Sequence, residues 1–427
     1  MAKRPHIIIV GAGIAGLACA RALKNEFTVE IFEAQNRIGG RICTDYSLGF
    51  ALGKGAGWIH GCKGNPITKI AKKTSIPYTL FQSYNFAVFD LEGQKIELSA
   101  IEKFDETFDA LLSKAKKNAF LAASDSSLSQ ALKPLLDKSN LNKSLIKDKL
   151  KYFENYIGAS YEHLSARHFD HEQNLPGGHA ILHGGYDHII EELAKDLKIR
   201  LESPVIKISE EQTRMVVETK NDRHYADAVL VTVPLRILQK NAIEFDPPLK
   251  NSKKQAIDRL GMGLFNIIAL KFPKVFWDKN ASGMFFSKSE SLATFLNYYN
   301  YCGEPVLLGY TGGDSAQKIE NLTDQEIIAL IVDNFKQHYS NVVPPESYFI
   351  TRWSKVPFIE GSYSYLPVGA TPQDRKLLAA PASHRLFFAG EATSTKYPAC
   401  THGAYWSGMR EARRIKKIFF AIKFFCT

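Results

Sequence analysis

The run His6-Ile7-Ile8-Ile9-Val10 is β-branched and apolar on both faces, which predicts a strand buried inside a parallel sheet. Gly11-Ala12-Gly13-Ile14-Ala15-Gly16 follows at once, and Leu17 to Leu23 takes a helical pattern. A second strand is predicted over Thr28-Val29-Glu30-Ile31-Phe32, ending at Glu33. Alternation from Tyr78 to Leu98 predicts a strand pair turning at Glu92-Gly93. From residue 100 to 163 the period changes: Phe104, Phe108, Leu111 and Leu112 recur at helical spacing, with breaks near Ser124 to Ser127 and at Ser139, so a helical insert is expected. Glycines at Gly177-Gly178 and Gly184-Gly185 precede an amphipathic helix over His188 to Leu197. Strands at Ile199 to Leu201, Pro204 to Ile208, Met215 to Thr219 and Ala228 to Pro234 extend the first sheet and add a small β-layer. The chain closes with a strand, Arg385 to Ala389, then Gly390-Glu391 and a helix from Gly403 onward.

The order of elements predicts an α/β chain with two domains, both discontinuous in sequence. Residues 1–75, 180–247 and 375–427 are expected to form a Rossmann-like nucleotide-binding domain. Residues 76–179 and 248–374 form an α+β substrate-binding domain that carries the insert at 100–163.

The glycine turn has separable roles. Gly11 permits the tight turn, Gly13 lets the backbone approach a pyrophosphate, and Gly16 lets the helix pack closely on the strand. The helix N-terminus then holds the anion, and Glu33 stands at the spacing from which an acid reaches ribose hydroxyls. Arg37, Gly39-Gly40 and Arg41 follow directly, offering a second backbone approach and two guanidinium groups to the same pyrophosphate. This arrangement resembles the N-terminal signature of FAD-binding oxidoreductases of the glutathione-reductase type. Residues 47 to 70 hold six glycines around Trp58-Ile59-His60, which fits either backbone running close to a flat ligand or a long flexible loop.

At 427 residues and 45% hydrophobic composition the chain can bury a full core, which excludes a disordered polymer. A charge of +10 raises nucleic acid and anionic membranes as partners, but the lysines are dispersed without interleaved aromatics, so no nucleic acid is expected. Cys19, Cys43, Cys62, Cys302, Cys400 and Cys426 have neither C-x-x-C nor zinc-ligand spacing, so no metal site is expected and a reducing, cytoplasmic setting fits. The first strand begins within six residues, which leaves no room for a cleavable signal. No apolar run approaches the roughly twenty residues of a membrane span. The basic, apolar tail Arg413 to Phe425 is read as a final helix packed on the core, with peripheral membrane contact as its alternative.

In order along the chain, GAGIAGLACA with Glu33 and RIGGR, GAGWIHGCKGNPI, HGGYDHIIEEL, SPVIKI, VTVPLRIL, FDPPL, GMGLFN with KFPKVFW, TRW, GSYSYLPVG and FFAGEATSTKYPACTHGAYWSGMREA resemble the flavin-containing amine oxidases. The polyamine and spermine oxidase branch is nearest, and only the helical insert stands outside the likeness. The resemblance implies noncovalent FAD, held by Gly11, Gly13, Ala15, Gly16, Glu33, Ala34, Arg37, Gly39, Gly40 and Arg41, by Gly57, Trp58, the backbone of Val205 and Thr232, and by Trp353, Gly390, Glu391, Cys400, Thr401 and Ala404. Relatives with covalent flavin place a cysteine where Ser362 stands.

The implied catalytic residues are His60, Trp353 and Tyr363. Trp353 packs on the isoalloxazine, and Tyr363 flanks the amine, where a cation gains from the ring quadrupole. His60 lies on the substrate side or, alternatively, is a hydrogen-bonded loop histidine. His402 is expected to hold the start of the last helix, and Cys400 leaves the aromatic cage one-sided. The family's lysine near flavin N5 is replaced by Ile267, since Lys271 matches a later segment.

The implied reaction is hydride transfer from a neutral amine to flavin N5, with a polyamine-like substrate favoured. Imine hydrolysis follows, and oxygen or another acceptor takes the electrons, with slow peroxide formation where the lysine is missing. Two alternatives stand beside it. One is an L-amino-acid oxidase, which needs Arg167 or Arg236 in the cavity to clamp a carboxylate. The other is a flavoprotein that retains FAD structurally and acts by binding a partner.

Overall fold

The structure, a computed structural model, describes residues 4–81 and 85–425. Residues 82–84, within the expected strand pair, and Cys426 lie outside the described residues. A five-stranded parallel sheet runs in the order Leu386–Phe388, Ala228–Val231, His6–Val10, Thr28–Phe32, Lys198–Arg200. Its central strand explains its own composition. Ile7 and Ile9 pack against the helices Ile14–Leu23 and Thr401–Phe425, while Ile8 and Val10 pack against the small β-layer. Both faces are covered, so alternation disappears and every position from Ile7 to Val10 is apolar. That β-layer is a separate sheet of Arg223–Ala226, Arg214–Thr219, Val205–Glu211 and Glu244–Asp246.

The second large sheet has the order Ser347–Ile350, Phe265–Lys271, Val306–Gly312, Thr294–Asn297, Gly283–Phe286, Phe86–Phe89. Ile268 and Leu270 on one face pack on Ile327, Ile331 and Phe335 of the helix Asp324–Lys336. Ile267, Ala269, Leu296 and Leu308 form the other face.

The insert consists of the helices Leu98–Leu121, Leu128–Leu136 and Lys143–Ile157. Its serine breaks act as predicted: Ser127 caps the second helix in a capping box with Gln130. Asn142 caps the third, and Gly158 stops it in a left-handed conformation at φ 68°.

The expected strand pair is present as a short antiparallel bridge, Phe89 opposite Lys95, across the turn at Glu92-Gly93, but its first part lies elsewhere. Tyr78–Leu80 joins a three-stranded sheet with Trp58–His60 and His179–Leu182, whereas Phe86–Phe89 lies at the edge of the six-stranded sheet. Alternation reports one-sided burial, which either sheet supplies, and says nothing about the partner. The turn survives, with Asp90 N–H donating to the Gln94 carbonyl at 2.9 Å. Along the C-terminal helix Ile415 is fully buried, and Phe419 meets Phe27 edge-on at 5.8 Å, so this part packs on the core. Among the described residues no helix is long and apolar enough to cross a membrane.

Candidate active site

The glycine turn is built by contact. Gly11 sits at φ +107°, and a Cβ there would stand 2.6 Å from the Thr232 hydroxyl. A Cβ at Gly16 would collide with the Gly11 carbonyl. At Gly13 a Cβ would meet nothing within 4 Å, so the helix N-terminus is open on the side where a pyrophosphate approaches. No acidic residue or side-chain cap competes in the first turn of Ile14–Leu23. Glu33 accepts N–H groups from Ala12 at 2.7 Å and Gln35 at 2.9 Å, which fixes its carboxylate at the strand end. Each oxygen retains a lone pair for a ribose hydroxyl. These residues fit FAD.

A cavity of about 880 Å³ runs from this turn to the six-stranded sheet. Every residue implied for FAD lines it except Gly16, whose role is packing, and Arg37. Arg37, expected at the pyrophosphate, is off the cavity wall: its guanidinium donates to the carbonyls of Gly40 at 2.7 Å and of Ile38 and Ile42 at 3.3 Å, bracing the loop. Three of its five N–H donors are thereby spent on loop carbonyls. Arg41 does reach the cavity, donating to the Ser362 carbonyl at 2.8 Å and to Glu391 at 2.9 Å. Burial opposes ionisation of Glu391, but Arg41, Arg375 and the Ser364 hydroxyl outweigh it and hold the carboxyl below its ordinary range.

Trp353 is buried on the cavity wall, with its indole N–H on the Lys54 carbonyl at 3.1 Å. A Cβ at Gly55 would stand 2.9 Å from this ring and strike the Arg41 carbonyl. In the glycine-rich stretch, then, Gly55 is needed where backbone meets Trp353, while Gly57 lines the cavity.

Ser362 donates to the Phe265 carbonyl at 2.9 Å and accepts its N–H at 2.8 Å, tying this segment to the strand Phe265–Lys271. Tyr363 places its ring on the wall, and its hydroxyl donates to the carbonyls of Asn155 and Tyr156 at 3.1 Å each. Burial first, then Glu172, Tyr156 and Cys400, push its pKa up, so the phenol stays a donor. Ile267 lines the cavity with its N–H held by Thr351 at 2.8 Å.

His60 lies on a strand, paired across it with His179, and the two rings are 5.0 Å apart. Burial, then His179 and His402, lower its pKa to about 3, so the imidazole is neutral. Its Nδ1 is buried without a hydrogen bond, unlike a tethered loop histidine. His402 is off the cavity wall, packed between Tyr397 at 5.1 Å and Trp406 at 5.5 Å.

The sequence reading missed Glu172, whose carboxyl lines the cavity. Burial pushes it up to about 7, with Glu391 reinforcing and Arg375 opposing. It also missed Phe265, Tyr298, Tyr310, His179 and, on the insert, Asp105, Asp148, Tyr152 and Tyr156. Glu172 sits in a stretch without periodicity, where no local signal marks it. Neither arginine proposed for a carboxylate clamp lines the cavity. Arg167 instead caps the helix Leu98–Leu121 through the carbonyls of Ala119 at 2.8 Å and Ala122 at 2.7 Å. Among the described residues the lysines and arginines on the wall are Arg41, Lys149 and Lys220. The first two are paired with Glu391 and Asp105, at 2.9 Å each.

Residues 14–416 match the family model described as flavin containing amine oxidoreductase. The chain belongs to that family. It is similar to polyamine oxidase 2 of Arabidopsis thaliana, 34% identical over 96% of this chain and 88% of the relative. Polyamine oxidase 4 of Oryza sativa is also 34% identical, over 97% of this chain and 89% of that one. A solved putrescine oxidase variant superimposes with a TM-score of 0.78 at 19% identity, covering 97% of this chain and 99% of the other. The protein is therefore an FAD-dependent amine oxidoreductase with the predicted α/β flavoprotein fold.

Proposed function

We propose that this amine oxidoreductase acts on an extended polyamine. One observation carries the reading: the wall around Tyr363 combines the rings of Trp58, Phe265, Tyr298 and Tyr310 with the carboxyl of Glu172. Arg41 and Lys149 are committed to carboxylates, and Lys220 comes from the turn after Arg214–Thr219, on the sheet that packs against Phe32. Such a wall attracts a cation and offers no clamp for an amino-acid carboxylate. The polyamine oxidase relatives support the same substrate class.

An alkylamine arrives protonated, with a pKa of about 10. Enclosure disfavours its charge, and the Glu172 carboxylate, raised to about 7, is the group that takes its proton. Neutral His60 accepts a hydrogen bond from the amine and so orients the α C–H, while the aromatic rings exclude water. Bound FAD supplies the hydride acceptor. The imine hydrolyses to an aldehyde and an amine, and oxygen is the proposed final acceptor, giving hydrogen peroxide. A cytoplasmic setting is proposed on five described cysteines that are all free thiols.

Anaerobic titration of the yellow protein tests the reading. Spermidine and spermine should bleach the flavin and L-amino acids should not. Bleaching by amino acids, or by no amine at all, overturns it.

A further inference from the structure

The helical insert, which the family motifs leave out, forms one wall of the cavity. On its helix Lys143–Ile157, Asp148, Tyr152, Asn155 and Tyr156 all reach the cavity, at the spacing of a single helix face. Its inner end is fixed by the Tyr363 hydroxyl on the carbonyls of Asn155 and Tyr156, 3.1 Å each. Next outward, Tyr152 and Tyr156 stack with centroids 5.9 Å apart and planes 12° from parallel, a continuous aromatic strip. Farther out, Lys149 pairs with Asp105 of the helix Leu98–Leu121 at 2.9 Å.

That pairing leaves Asp148 over. It lines the cavity and has no hydrogen bond or ion pair among the described residues. Enclosure pushes its carboxyl up to about 7, with Asp105 reinforcing and Lys149 opposing. A carboxyl so placed is costly without a donor, and a ligand ammonium would offset that cost. Seven residues separate Asp148 from Asn155, about 10 Å along the helix.

We propose that Asp148 is the counter-ion for the distal ammonium of a long amine whose reacting nitrogen lies beside Tyr363, with the tyrosine strip carrying the methylene chain between them. The assignment rests on the polyamine reading and deepens it, making the insert the device that selects chain length. A triamine or tetraamine spans the interval, whereas a monoamine has no second charge to place.

The test is anaerobic stopped-flow flavin reduction by n-butylamine, putrescine, spermidine and spermine, comparing wild type with Asp148→Asn. Loss of one charge-assisted contact should raise the apparent Kd for spermidine and spermine about tenfold, and that for n-butylamine less than about twofold. Asp105→Asn is the second arm. It releases Lys149 to neutralise Asp148 and should weaken spermidine selectively even if Asp148→Asn folds poorly. An equal change for short and long amines in either variant, or none, overturns the assignment. Wild-type flavin that no amine bleaches overturns the polyamine reading itself and this assignment with it.

Discussion

Environment, more than residue type, sets the chemistry of the cavity. Glu391 and Glu172 line the same space, yet Arg41 and Arg375 hold the first ionised while burial lifts the second to about 7. In the proposed mechanism Glu172 accepts the proton only when ionised, so kcat/KM for a fixed amine should rise as pH increases through about 7. Glu172→Gln should lose that limb, and an unchanged acid limb would show that another group takes the proton. Ile267, 6% exposed on the cavity wall, carries the second prediction. A lysine there would favour the negative charge that develops as oxygen accepts an electron, an effect of roughly 2–4 kcal/mol by analogy with single oxyanion donors. Ile267→Lys should therefore accelerate reoxidation by oxygen at least about tenfold while changing reduction little. Both half-reactions should be followed by stopped flow near pH 6, where a buried lysine keeps its charge better. Equal acceleration of both would defeat the idea.

Between elements, single side chains act as ties. The Tyr363 hydroxyl joins the GSYS segment to the last turn of the insert, so its two roles separate by substitution. Tyr363→Phe should keep flavin reduction near wild type and cost about 1 kcal/mol of stability. Tyr363→Ala should also lose amine binding and cost about 3–5 kcal/mol through the cavity it leaves. Melting temperature alongside reduction kinetics distinguishes these outcomes. His402, wedged between Tyr397 and Trp406, is pushed by burial down to about 4. The unfolded chain takes up this proton near pH 6.5, but the folded ring resists until about 4, so acid in that window favours unfolding. His402→Phe should reduce the stability lost between pH 7 and pH 5 by about 1–2 kcal/mol in urea unfolding. An identical loss in both proteins would place the acid sensitivity elsewhere. The insert's helices were legible from Phe104, Phe108 and Ser127, whereas the face they turn to Tyr363 was not.

For the molecule as a whole, the cofactor site is assembled from residues 11 to 404, so FAD stabilises the folded chain by linkage, about 2.7 kcal/mol at a hundredfold excess over Kd. Ser362 offers a hydroxyl held at both ends by Phe265 and no thiolate, so acid or heat should release FAD intact. Gly13→Val, which fills the open side of the turn, should give colourless protein with a lower melting temperature. Flavin retained by the denatured wild-type chain, or full occupancy in the variant, would contradict these expectations.

The sequence by itself determined the features that act over neighbouring residues. The spacing of Gly11, Gly13 and Gly16, the unbroken apolar strand before them and the acid at Glu33 together specify a nucleotide site. Helical periodicity and caps specify the insert. Only the tertiary structure decided which residues line the cavity. Arg37 lies off the cavity wall and Arg167 at a helix end, where each satisfies backbone carbonyls contributed by its local fold. Glu172 and Asp148 entered the cavity, and Tyr363 met Asn155 across more than two hundred residues of chain. Local pattern encodes that a residue is buried, while its partner is set by packing between distant segments, and the chemistry of an amine site resides in those partners.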